Sequence, residues 1–209
     1  MSRERTERRQ REVLRLYDEA LASFGRRVQA VARNQWQAPT PCAAWSVREL
    51  VNHLTAEQLR APELLLGATP AELGDRFEGE VLGEDPAADW ARAVAGARTA
   101  FGMPYALALT VHLPHGDRSA LDYCAQLTVD LAVHTWDLAR ATGQDTHLAP
   151  ELVEFALHEV APYAERLPAT ERFAAPVPTA PDAAPQARLL GLVGRYAAPY
   201  PPVDPELAD

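Results

Sequence analysis

A chain of 209 residues, 47% of them hydrophobic, is long enough to bury one substantial core, and residues 1–209 read as one domain with 168–209 as an extended C-terminal tail. The formal charge of −9, from 29 acidic and 20 basic residues, argues against a nucleic-acid partner, since binding a duplex needs a clustered positive face. No run of about 18 apolar residues could span a membrane, no apolar leader core follows the basic start, and Cys42 and Cys124 are too few for a disulfide framework; the expectation is a cytoplasmic protein with no membrane partner.

The first predicted element runs from about Arg5 to Ala32, where Val13, Leu14, Tyr17, Ala20, Leu21, Phe24 and Val28 recur at three- and four-residue steps. Its arginines alternate with Glu4, Glu7 and Glu12, which reads as a solvated helix face. Pro39 and Pro41 then interrupt regular structure. Ser46 followed by Glu49 is a capping box, and Val47, Leu50, Val51, Leu54, Leu59 and Leu64 carry a second helix to about Leu66, with Pro62 kinking or ending its regular part. Gly67 to Gly83 reads as a loop. Asp85-Pro86 starts a third helix with Trp90, Val94, Ala97 and Phe101 on its apolar stripe, and Gly102 stops it. Between Tyr105 and Pro114 the pattern alternates, suggesting a short extended piece before a turn at His115-Gly116-Asp117.

Ser119 to Ala141 is the clearest helix in the sequence. Leu121, Cys124, Leu127, Leu131, His134 and Leu138 share one side of it, and Gly143 lies just past its end. A fifth helix is expected from about Pro150 to Leu167, with Leu152, Phe155, Ala156, Val160 and Tyr163 buried. A proline-rich strap follows, ending in a small docked helix or turn at Leu189 to Val193.

The strongest helix carries the chemistry. Asp130 and His134, four residues apart, project within about 40° of each other and roughly 6 Å along the axis, so one ion can reach both. Beside Leu127, Leu131 and Leu138, a carboxylate without a cation or donor would be costly. His53, between Leu50 and Leu54 on the second helix, is the third candidate. Two histidines and one carboxylate suit zinc, with nickel or iron as alternatives, and three protein ligands leave a position open for chemistry.

The stretch Thr40-Pro41-Cys42-Ala43-Ala44-Trp45-Ser46-Val47-Arg48-Glu49-Leu50-Val51-Asn52-His53-Leu54 resembles the signature of the mycothiol-dependent maleylpyruvate isomerase group within the DinB-like superfamily. Asp130-Leu131-Ala132-Val133-His134-Thr135-Trp136-Asp137-Leu138-Ala139-Arg140-Ala141-Thr142-Gly143 resembles that group's second motif. The resemblance implies an all-α, up-and-down four-helix bundle, here with an extra helix and the proline-rich C-terminal strap. It also implies one divalent metal held by His53, Asp130 and His134, with mycothiol as thiol cosubstrate. The group's isomerase has Glu where this chain has Asp130, and a C-terminal domain with a functional arginine for which the remainder here looks too short. Arg195 is accordingly given no role.

The function expected on these grounds is a metal-dependent transferase or isomerase that presents the thiol to an electrophilic small molecule. A non-catalytic small-molecule- or metal-binding protein and a metal-dependent hydrolase are the alternatives. Glu57, one turn after His53, reads as a surface carboxylate before a fourth ligand, and Asp137, with Arg140 three residues on, as structural or as a support behind the ligands. His112 and His115 flank a probable turn, His147 and His158 have no partner at ligand spacing, Cys42 reads as structural, and Trp45, Trp90 and Trp136 read as core. The helix pattern leaves the oligomeric state open, a homodimer included.

Overall fold

The computed structural model describes residues 2–42, 45–166 and 173–197. The fold is mostly helical. Helix α1 (Ser2–Gln29) buries Val13, Leu16, Tyr17, Ala20, Leu21, Phe24 and Val28, the stripe its periodicity predicts except that Leu16 takes the buried place expected of the half-buried Leu14. Helix α2 (Val47–Leu65) begins at the expected capping box: the Ser46 hydroxyl accepts the Glu49 N–H, and the Glu49 carboxylate accepts the Ser46 N–H at 2.7 Å. Pro62 sits inside α2 and does not end it.

The segment read as a loop contains one more helical turn, α3 (Pro70–Leu73), closed by a second capping box between Thr69 and Glu72. Helix α4 (Pro86–Phe101) starts where Asp85 accepts the Ala88 N–H. Strands β1 (Thr110–Leu113) and β2 (Gly116–Ser119) pair antiparallel across the two-residue turn Pro114-His115; an extended piece thus precedes the turn as expected, but only from Thr110, after a 3₁₀ turn at Ala106–Ala108, and Gly116 and Asp117, expected in the turn, belong to β2.

Helix α5 (Ala120–Thr142) is capped by Ser119, which accepts the Asp122 N–H. It ends on Gly143 at φ +70, a left-handed conformation that costs glycine little. Helix α6 (Pro150–Val160) is shorter than its predicted span and gives way to a 3₁₀ segment at Ala161–Arg166; the expected end at Leu167 lies outside the described residues. Tyr163 is 59% exposed and does not belong to the buried stripe, because the change of helical pitch after Val160 turns it outward. The chain returns through α7 (Pro185–Leu192), which packs on α6 and buries Leu189 and Leu190.

Helices α1 and α2 each pack against both α4 and α5. Edge-on aromatic pairs, Tyr17 with Phe101 and Phe24 with Trp90, tie α1 to α4. The consequence for function is that α2 and α5 run side by side, and that Arg195, just beyond α7, reaches Asp137 on α5. No described helix is long and apolar enough to cross a membrane.

Candidate metal centre

His53 from α2 and Asp130 and His134 from α5 converge, with one potential ligand atom of each lying within 4.8 Å of the others. His53 Nε2 is 3.0 Å from Asp130 Oδ2, and His134 Nε2 is 3.4 Å from Asp130 Oδ1. Two donor atoms each about 2.0–2.1 Å from one ion at a tetrahedral angle stand about 3.4 Å apart, so these spacings fit a shared cation. The hydrogen bonding points the same way. Asp130 Oδ1 and His134 Nε2 are buried and have no hydrogen-bond partner, an arrangement that costs free energy unless something else satisfies both atoms. The three-ligand set expected from the sequence is thus brought together by the fold.

Behind His134 lies a support only partly visible in the sequence. Asp137 Oδ2 is 2.8 Å from His134 Nδ1, and both side chains are fully buried. An ionised carboxylate can only accept, so His134 Nδ1 carries the hydrogen toward Asp137, and it is Nε2 that faces Asp130. Asp137 in turn accepts from Arg195 Nη2 at 2.8 Å and Nε at 3.3 Å, while Arg195 Nη1 donates to the Val193 carbonyl at 2.7 Å. The cation paired with Asp137 is therefore Arg195, 58 residues away in sequence, and not the neighbouring Arg140, whose side chain faces solvent. Arg195 is 3% exposed, so a residue to which the sequence assigns no role is buried against Asp137.

The charges are mutually supporting. Burial opposes ionisation of Asp130, but His134 and His53 outweigh it and hold the carboxyl well below its ordinary range. Burial likewise opposes a charged Asp137, which His134 and Arg195 keep ionised. Burial disfavours an imidazolium at His134, yet Asp130 and Asp137 together push its pKa upward.

Aromatic rings wall the centre. Trp45 stacks on His53 with centroids 4.6 Å apart, and Phe173 lies parallel to His134 at 6.1 Å. Trp90 and Trp136 are core, as expected, whereas half-buried Trp45 belongs to the site. Trp45 and His53 also line a cleft of about 800 Å³ that Asn52, Glu57, Arg60 and Phe77 help enclose, so that His53 is the member of the group that borders it.

The remaining candidates fall outside the ligand group. Glu57 is buried, not a surface carboxylate, and pairs with Arg60 at 2.8 Å. His112 faces Asp117 across the hairpin, and His115 is exposed at its turn. His147 and His158 are exposed beside Asp145 and Glu159. Burial raises the Cys42 thiol to about 11, so it is protonated near neutrality. Phe173 and Arg195 were missed because helical periodicity cannot place residues that reach the site through a proline-rich return.

The family model described as the mycothiol maleylpyruvate isomerase N-terminal domain matches residues 17–139, a span that contains His53, Asp130, His134 and Asp137. The chain belongs to this DinB-like family. Two relatives, uncharacterized proteins from the CDC 1551 / Oshkosh and H37Rv strains of Mycobacterium tuberculosis, are each 32% identical over 139 residues, covering 66% of this chain and 72% of the relative. No solved structure matches. Phe173 and Arg195 lie C-terminal to the matched span, yet Phe173 stands against the ring of His134 and Arg195 pairs with Asp137.

Proposed function

We propose that this protein is a divalent-metal-dependent transferase or isomerase that uses mycothiol against a small electrophile, with His53, Asp130 and His134 as the metal ligands. The observation that carries the reading is the buried, unpartnered pair Asp130 Oδ1 and His134 Nε2, facing His53 in the wall of an open cleft. Zinc is the first choice of metal, with nickel and iron also compatible with two imidazoles and a carboxylate. A divalent ion with one anionic ligand keeps positive charge, and that charge supplies the acidification that turns a bound thiol into a thiolate.

The chain's own residues do the positioning. Asp130 supplies the compensating charge, Asp137 fixes the tautomer of His134, and Trp45 holds the plane of His53. The cleft beside His53 gives the thiol and its electrophile room to approach from the α2 side. The pairwise packing of α1, α2, α4 and α5 supports an up-and-down four-helix bundle as the scaffold. A cytoplasmic setting, where mycothiol would be reduced, completes the proposal, and a homodimer is compatible with it.

A ligand that binds only the folded state raises apparent stability by mass action. Mycothiol at about 100 times its Kd should therefore stabilise metal-loaded protein by about 2.7 kcal/mol, read as a higher Tm, and should do nothing for metal-free protein. Metal-loaded protein that ignores saturating mycothiol but responds to other small molecules would move the function to non-catalytic binding.

A further inference from the structure

The matched family span ends at residue 139, yet two contacts to the candidate centre, from buried Arg195 and half-buried Phe173, come from beyond it. Arg195 reaches both oxygens of Asp137, and Asp137 is the only described side chain hydrogen-bonded to His134 Nδ1. Phe173, from the start of the same C-terminal stretch, covers the ring of His134, and the Arg195 guanidinium sits 5.5 Å above the Phe173 centroid. The segment is anchored independently of the centre: the Val177 N–H bonds the Gly191 carbonyl at 2.9 Å, the Arg195 N–H bonds the Leu190 carbonyl at 2.8 Å, and Leu189 and Leu190 are buried.

We infer that Arg195 is a positioning residue for the metal centre: by clamping Asp137 from the docked C-terminal segment, it fixes the orientation and tautomer of His134, so residues 173–197 complete the site. The physical reason lies in the geometry of Asp137. Its Oδ2 accepts from His134 and Arg195 at once, and without the guanidinium the carboxylate would be free to rotate about its Cβ–Cγ bond and lose its line to Nδ1. An arginine suits this role because its planar fork engages both carboxylate oxygens, whereas a lysine ammonium engages them as a point charge. Groups standing behind a histidine ligand in this way commonly govern metal affinity by 10–100-fold. The inference rests on the metal assignment proposed above, but the tautomer of His134 is observable without metal.

The test compares wild type, Arg195→Ala, Arg195→Lys and Asp137→Asn. Zinc affinity is measured by chelator competition, and the His134 tautomer by long-range ¹H–¹⁵N correlation on metal-free protein at a pH where the ring is neutral. Arg195→Ala should weaken zinc binding about 10–100-fold and give a mixture of His134 tautomers where wild type shows the Nδ1–H form alone. Arg195→Lys should recover part of both. Should Arg195→Ala fail to fold, Asp137→Asn carries the same expectation, because its amide can turn an N–H toward Nδ1 and favour the other tautomer. Folded variants with wild-type zinc affinity and an unchanged tautomer would overturn the inference. Failure of wild type itself to bind any divalent metal would instead overturn the assignment of the centre, with the tautomer still reporting on the clamp.

Discussion

His134→Ala is expected to leave the protein folded and to abolish its retention of metal. The residue is wholly buried, and its Nε2 stands 3.4 Å from Asp130 Oδ1 without a hydrogen bond. Alanine removes one of two neutral donors, leaving His53 and Asp130 to hold an ion alone. The resulting loss should exceed the roughly 10–100-fold typical of a supporting residue and survive reconstitution with excess zinc followed by gel filtration. Folding is spared because the buried charges Asp137 and Arg195 still pair with each other. A variant that kept full metal content would remove His134 from the ligand set.

The second large effect separates the two aspartates. Asp130 and Asp137 face nearly the same way but sit about 10 Å apart along the axis of α5, too far for one ion to hold both at bonds near 2 Å. The structure gives them different neighbours. Asp130 contacts His53 and His134 Nε2, whereas Asp137 contacts Nδ1 and Arg195. Asp130→Ala should therefore cost metal affinity well beyond 100-fold, since it removes a bond and the only anion of the ligand set. Asp137→Asn should fall within the range of about 10–100-fold. Asparagine is the better substitution at Asp137, because alanine would strand the Arg195 cation in the interior at a cost of about 3–5 kcal/mol. Paired zinc titrations in the opposite order would rewrite the ligand set as His53, His134 and Asp137.

Much of this arrangement was legible in local pattern. The Ser46/Glu49 spacing gave the start of α2 and thus the register of His53, and the i, i+4 spacing on the most periodic helix paired Asp130 with His134. The same reasoning could have found α3, since Thr69-Pro70-Ala71-Glu72 carries a capping box with proline at the first helical position, but four residues offer no periodicity to draw attention. What stayed hidden is non-local. Asp137 had a plausible cation at Arg140, and nothing in the spacing says that α5 turns Arg140 to solvent and that a buried guanidinium arrives from Arg195 instead. The burial of Glu57 is hidden for a related reason: it depends on Arg60 and the cleft wall, contacts that a helical wheel does not contain.

The family relation and the geometry support one another at different depths. Matching residues 17–139 brings the first motif and most of the second under one description, while a buried oxygen and nitrogen without hydrogen bonds are what the proposed cation would satisfy. The C-terminal segment adds something the matched span does not contain, a guanidinium and an aromatic face supporting one histidine. Variation in that segment would therefore be expected to tune metal affinity without touching a ligand.

Elemental analysis of freshly purified and zinc-reconstituted protein addresses the centre most directly. The arrangement of His53, Asp130 and His134 predicts about one divalent ion per chain, and protein that holds none even after reconstitution would contradict it.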